Sequence, residues 1–166
     1  MAKRALGQRA SRTGEAMRLT RKLMFAIEAV LDIAYNTSDR PVQSSEIAER
    51  QGIPRRYLEH VLQHLVRAEI LCGVRGPRGG YRLARERRRI FLGEIARLIG
   101  ELDGSISLFE KPVGSALGQS VLVPIWQNLH ERALVQLDAI SIEDLCVQAR
   151  EAGVKSAADI PMDFAI

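Results

Sequence analysis

A chain of 166 residues suits one compact domain with an appendage, or two very small domains, and its 46% hydrophobic content can fill a core. Aromatics are only 5%, so Leu, Ile, Val and Ala must build that core. No run of ~18 or more apolar residues occurs, which excludes a helical membrane span. The basic N-terminus has no apolar stretch behind it to serve as a secretory signal. Two cysteines, Cys72 and Cys146, are too few for a disulfide framework and fit a reducing cytoplasm. The net charge of +4 conceals a split. Residues 1–90 carry 19 Lys/Arg against 9 Asp/Glu, and residues 91–166 carry 5 against 11. One half therefore suits a polyanion. Nucleic acid fits better than an anionic membrane, because no strongly amphipathic basic helix lies at either end.

Residues 1–16 read as a flexible basic leader, with Lys3, Arg4, Arg9 and Arg12 available to DNA phosphates or the minor groove. Residues 17–100 read as a DNA-binding domain. Thr20 is expected to cap a helix running to Asn36, with Leu23, Ile27, Val30, Leu31 and Ala34 inward. Arg18, Arg21 and Lys22 at its start oppose the helix dipole, which implies an external phosphate partner. Ser44 and Ser45 begin a second helix, offering hydroxyls as caps, and Gly52 ends it. Pro54 opens a third helix, in which Tyr57, Leu58, Val61, Leu62, Leu65 and Val66 recur at helical spacing. Leu71–Arg75 and Tyr81–Leu83 read as strands joined by the turn Gly76–Gly80. Helix, turn, helix and basic hairpin make a winged helix-turn-helix.

On the third helix Arg55, Arg56 and Tyr57 are expected to face the major groove. Arg can bridge guanine O6 and N7, Glu59 can accept from cytosine N4, and His60 can donate or accept. In the hairpin, glycines allow close approach of the backbone and Pro77 fixes the turn. Arg75, Arg78 and Arg82 are its DNA contacts, Arg75 especially suiting a narrow minor groove. The turn lacks the Gly-Lys-Ser/Thr ending of a phosphate-binding loop.

Ile90 to Gly100 reads as a further helix, residues 101–120 as a loop, and Val121 to Ala139 as a long helix. Ile125, Trp126, Leu129, Leu134 and Leu137 on that helix form an apolar stripe wide enough to want a partner, and are the expected dimerisation residues. Ser141, with Asp144 three residues on, begins a short helix with a capping-box pattern. Residues 121–152 thus form a dimerisation unit, and 153–166 a mobile tail.

His60 and His64 lie four apart and could share a metal, but on a recognition helix they read as a DNA contact and an ordinary side chain. Cys72 beside the wing is a candidate redox reporter, and Cys146 a weaker one. No catalytic set, metal site or cofactor motif is present, so an enzyme is not expected.

Arg18-Leu19-Thr20, the run Glu46 to Ile53, Tyr57-Leu58-Glu59, and Arg75-Gly76-Pro77 with Gly79-Gly80-Tyr81-Arg82-Leu83 together resemble the bacterial winged-helix regulators that include IscR, NsrR and CymR. The likeness covers roughly Met17 to Gly104, and the C-terminal helix more loosely. It implies base reading at Tyr57, Glu59 and His60, a minor-groove arginine at Arg75, and a two-fold dimer built on the long helix. Arg78 departs from the glycine that many members carry. Members with an iron–sulfur cluster hold it by three cysteines in the loop, yet Ser105 to Ser120 contains no Cys and no His. Without thiolates a cluster bound in that manner is excluded. The resemblance then implies the cluster-free, CymR-like branch, which responds to sulfur-amino-acid status through a cysteine-biosynthetic enzyme. The expectation is a cytoplasmic, dimeric repressor binding double-stranded DNA. A sensor of iron–sulfur, redox or metal status with ligands outside the loop, or a module acting mainly through a partner enzyme, are the alternatives.

Overall fold

Alternation of apolar residues at helical spacing dominates the chain, and helices dominate the result. The computed structural model describes residues 13–37, 40–102 and 114–159. The first helix, α1 (Thr13–Asn36), is the central one: it packs against the second, third and fourth helices, the last helix and the hairpin. Ala26, Ala29, Val30 and Ile33 are fully buried on it, the two alanines letting its neighbours approach closely. It begins seven residues before Thr20, because Glu15-Ala16-Met17-Arg18-Leu19 are good helix formers. Thr20 is therefore interior and caps nothing, and Arg18, Arg21 and Lys22 do not sit at a helix start. The dipole argument for a phosphate there falls. The side chains of Arg18 and Thr20, like the whole leader 1–12, lie outside the described residues.

The second helix, α2 (Ser44–Gln51), is capped at its N-terminus by Gln43 in extended conformation without a side-chain hydrogen bond. Ser44 and Ser45 are its first two residues, so neither acts as the cap. Gly52 ends α2 in the left-handed conformation (φ 62, ψ 28), as its lack of a Cβ allows. Pro54 stands just outside α3 (Arg55–Arg67), whose Leu58, Val61, Leu62 and Leu65 enter the core. The chain then turns at Ile70 into an antiparallel hairpin of β1 (Leu71–Val74) and β2 (Gly80–Leu83), with Cys72 opposite Arg82 and Val74 opposite Gly80. Gly79 and Gly80 are required. A Cβ on the first would lie 2.3 Å from the Val74 carbonyl oxygen, and on the second 2.4 Å from that of Val42. Gly80 leaves room for Tyr81 and Val42 to exchange backbone hydrogen bonds of 3.0 and 2.8 Å, pinning the wing to the segment before α2.

After a short 3-10 turn at Arg87–Arg89 comes α4 (Leu92–Leu102), with Leu92, Ile95 and Ile99 buried. The expected loop 101–120 is not all loop: Ala116 and Leu117 are helical, and a π turn at Gly118–Leu122 leads into α5 (Val123–Asp138). Pro124 has no N–H to continue an α ladder there, and Val123 N–H reaches five residues back to Gly118 O. The last helix, α6 (Ile142–Glu151), carries the anticipated capping box: Ser141 Oγ accepts from Asp144 N–H, and the Asp144 carboxylate accepts from Ser141 N–H at 2.8 Å. The Ser141 hydroxyl also donates to Asp144 Oδ2 at 2.6 Å, and that bond first, then the one from Ser141 N–H, holds the Asp144 carboxyl below its ordinary pKa. Residues Val154 to Ser156 are not a loose tail but are hydrogen-bonded to the end of α1.

Candidate nucleic-acid interface

The buried stripe of α3 leaves Arg55, Arg56, His60, Gln63 and Arg67 outward. Arg55 Nε donates to Glu59 Oε1 at 2.9 Å, one helical turn apart, so these two expected base readers neutralise each other in the free protein. The rings of His60 and His64 meet edge-on with centroids 4.6 Å apart. Burial first, then the nearby His60 and Arg67, push the His64 pKa below its ordinary value.

Tyr57 does not face outward with Arg55 and Arg56. Its ring is half-buried against Phe25, with centroids 5.9 Å apart, and its hydroxyl lies 3.4 Å from Lys22 O. At the third position of α3 it falls on the stripe shared with Leu58 and Val61, which the core claims. It sets the pose of α3 on α1, and at most an edge is left for a ligand. Ser44 and Ser45 stand in the first turn of α2, half-buried and exposed respectively.

Arg75 and Arg78 are exposed at the tip of the wing, and Arg82 is half-buried within β2. Arginines fall into two sets. Arg40, Arg50, Arg55, Arg85, Arg87, Arg88, Arg97 and Arg150 each hold a carboxylate. Among the described residues, Arg56, Arg75 and Arg78 hold none. The cations left without a protein carboxylate, among the described residues, therefore include Arg56 at the start of α3 and Arg75 and Arg78 at the wing tip.

A buried ion pair, not foreseen from sequence, supports this surface. Asp32 on α1 is 2% exposed. Its Oδ1 accepts from Arg50 Nε (3.0 Å), Gln51 Nε2 (2.8 Å) and Asn36 Nδ2 (3.1 Å), and its Oδ2 from Arg50 Nη2 (2.7 Å). Hydrogen bonding to Asp32 raises the Arg50 pKa. This clamp locks the end of α2 to α1. The only sequence signal was an aspartate on the inward face of a helix, which demands a partner without naming it.

On α5 the expected dimerisation residues divide. Ile125, Trp126 and Leu129 are 53%, 60% and 49% exposed, and Leu122 joins them at 56%. Leu134 is half-buried, and Leu137 packs on the chain's own core. The helix is tethered to α4 by Arg97, which donates to both Asp138 carboxylate oxygens at 2.7 and 2.6 Å. That bond lowers the Asp138 pKa and raises that of Arg97. Gly93 makes it possible, since a Cβ there would lie 1.9 Å from Asp138 Oδ1.

Cys146 is fully buried in the core, and burial pushes its thiol pKa up, so it is not a reactive thiol. Cys72 is half-exposed on β1. The two cysteines sit on separate elements and the segment 101–120 has none. This donor set does not fit an iron–sulfur cluster held by three or four thiolates. Among the described residues no group of three or more His, Cys, Asp or Glu could hold a metal ion, and no helix is long and apolar enough to cross a membrane.

A helix-turn-helix with its second helix presented outward, followed by a basic hairpin, defines a winged-helix DNA-binding transcription regulator. The chain belongs to the Rrf2 family, described as iron-dependent transcriptional regulator, whose sequence profile matches residues 19–148. The HTH-type transcriptional regulator IscR of Xenorhabdus nematophila is 36% identical over 129 residues, covering 78% of this chain and 79% of the relative. Among solved structures, T. potens IscR is similar with a TM-score of 0.63 and 32% identity, over 81% of this chain and 90% of that one. CymR, the global cysteine regulator of B. subtilis, is similar with a TM-score of 0.58 and 25% identity, over 76% and 94%. These relatives are named transcription regulators, not enzymes.

Proposed function

We propose that the protein is a dimeric, sequence-specific repressor that works without an iron–sulfur cluster. In this reading α3 enters the major groove, with Arg55, Arg56, Glu59 and His60 at base edges. The wing lays Arg75 and Arg78 along the adjacent minor groove or backbone. Ser44 and Ser45, in the first turn of α2, are phosphate contacts, and Arg82 and Tyr57 position their neighbours. One observation carries the reading: among the described residues Arg56 of α3 and Arg75 and Arg78 of the wing tip hold no carboxylate, while Arg40, Arg50, Arg85, Arg87, Arg88, Arg97 and Arg150 do, and Arg55 is held only by Glu59 on α3 itself. The exposed stripe of Leu122, Ile125, Trp126 and Leu129 supports pairing of two subunits, as a two-fold operator requires. The thiol-poor sequence supports the cluster-free branch, and the likeness to CymR, a global cysteine regulator, supports a link to cysteine status.

Footprinting against genomic fragments, the chain's own promoter included, tests this. The expected result is a protected pair of half-sites separated by about one helical turn or a multiple of it. Absence of any protected fragment overturns the DNA assignment. A coloured, iron-bearing protein after anaerobic purification overturns the cluster-free part.

A further inference from the structure

Beside the Asp32 clamp lies a cavity of about 420 Å³, within the size range of small-ligand sites. One wall is a face of α1 that carries Glu28, Leu31 and Tyr35, and Gln51, Ala149 and Lys155 line the remainder. A strap closes it. Tyr35 Oη donates to Val154 O at 2.6 Å, Ser156 Oγ donates to Tyr35 O at 2.7 Å, and Ala157 N–H donates to Asn36 Oδ1 at 2.8 Å.

The electrostatics of this cavity have two ends. The ends of α1 and α6, at Asn36 and Ala149, lie beside the strap that carries Lys155, bonded to it through Ser156, Ala157 and Val154, whereas Glu28 stands about two turns back along α1. Glu28 adds a carboxylate that has no cationic partner among the described residues. The charge of Asp32 is spent on Arg50. On the strap, Lys155 is an exposed ammonium without a described carboxylate partner. Leu31, Ala149 and Val154 supply apolar wall between the two ends. We infer that this cavity binds a free α-amino acid, with its ammonium toward Glu28, its carboxylate toward Lys155, and its side chain against the apolar wall.

The site touches the regulatory machinery directly. A hydrogen-bond chain runs from the strap through Ala157 N–H to Asn36, from Asn36 to Asp32, and from Asp32 to Arg50 and Gln51 on α2. An occupant bears on both ends of that chain, so binding changes how firmly α2 is held and with it the affinity for DNA. This second step rests on the DNA-binding reading above; the binding step does not.

The test uses the full chain and the proteinogenic L-amino acids one at a time, by thermal shift and titration calorimetry. At least one should bind with a Kd of about 1 mM or tighter. Its N-acetylated and decarboxylated counterparts should each bind about tenfold or more weakly, because each loses a charge-assisted contact. Glu28→Gln should weaken the amino acid by a similar factor but not its N-acetyl form, and Lys155→Gln should do the same for the carboxylate end. Far-UV circular dichroism checks that both variants are folded. No binding up to roughly 10 mM overturns the site. So do N-acetyl and parent forms that bind alike, or variants that bind as the wild type does. Unchanged operator affinity with the amino acid bound overturns the coupling, whereas failure to bind any DNA fragment, with or without it, overturns the DNA reading instead.

Discussion

Replacing Asp32 by Asn isolates the clamp that holds α2 in place. Oδ1 receives three donors and Oδ2 one, the Arg50 Nη2 at 2.7 Å. An amide can keep its oxygen at the Oδ1 position, but its NH2 group then faces the guanidinium donor. One charge-assisted bond is lost, about 1.5–3 kcal/mol, and no volume changes. Asp32→Ala removes all four bonds and leaves Arg50 only its longer pair with Glu46, at 3.7 Å. Breaking a buried pair costs about 3–5 kcal/mol, and the lower end applies because the Arg50 side chain is 31% exposed and regains some water. For a chain this size each kcal/mol moves Tm by about 2–4 °C, so Asp32→Asn should lower it by roughly 3–12 °C. Urea unfolding of Asp32→Asn, Arg50→Met and the double variant closes a cycle whose coupling should exceed about 1 kcal/mol. Stability of Asp32→Asn within about 0.5 kcal/mol of wild type, or strict additivity in the cycle, would refute the reasoning.

On the wing, Arg75→Ala and Arg78→Ala should each reduce the slope of log K against log salt by about 0.9 if they neutralise a phosphate, and Arg75→Ala should cost ~1–3 kcal/mol if it reads a groove. Glu59→Ala should relax base preference with little loss of affinity, and equal losses on every sequence for Glu59→Ala and Arg75→Ala in gel shifts would defeat that division of roles. Trp126→Asp with Leu129→Asp should raise the dimer dissociation constant by about a hundredfold or more while leaving the subunit folded, since both side chains are already half or more exposed. Sedimentation velocity reads the outcome, with Leu137→Asp as the contrasting change that unsettles the fold itself; dimers persisting in the double variant sink the α5 interface. Asp144, whose pKa is depressed in the fold, contributes stability that is present above the ordinary carboxylate value near about 4 and is lost as pH falls through its folded value. Asp144→Asn should flatten the acid limb of urea midpoint against pH, and an unaltered limb contradicts the assignment.

The helix-turn-helix and wing were readable because their signals are local. Gly52 ends α2, Pro54 precedes α3, the period of Leu58, Val61, Leu62 and Leu65 gives the buried face, and Gly79-Gly80 gives the hairpin within a residue at each strand. What escaped was set by partners distant in sequence. Asp32 meets Arg50 eighteen positions on, and Tyr35 holds Val154 from 119 positions away. Neither pairing has a periodicity to betray it. Thr20 misled for the opposite reason: a good capping residue was overridden by the helix formers before it. Tyr57 belonged to two patterns at once, an aromatic near a helix start and a member of the apolar stripe, and packing chose the second.

The charge split also means something different in the folded chain. Counted by halves, the N-terminal ninety residues are uniformly basic, yet their arginines are not equivalent. Glu94 and Glu143, from the acidic half, take Arg85 and Arg87, and Glu86 takes Arg88, so the run around Arg87-Arg88-Arg89 is largely spoken for. The acidic half thus does more than avoid DNA. It neutralises the arginines that bind the wing's base to α4 and α6, and leaves those at the start of α3 and the wing tip uncompensated. Because Arg55 is the exception, paired with Glu59 on the recognition helix itself, DNA must either accept that pair intact or break it. Breaking it frees a donor for guanine and an acceptor for cytosine on adjacent turns, and an exposed pair of this kind is worth under about 1 kcal/mol, so the price is small beside one good base contact. In the proposed complex the pair is therefore expected to act as a local brake on non-specific binding: where no base edge competes for either partner, Arg55 stays neutralised and adds nothing to phosphate attraction.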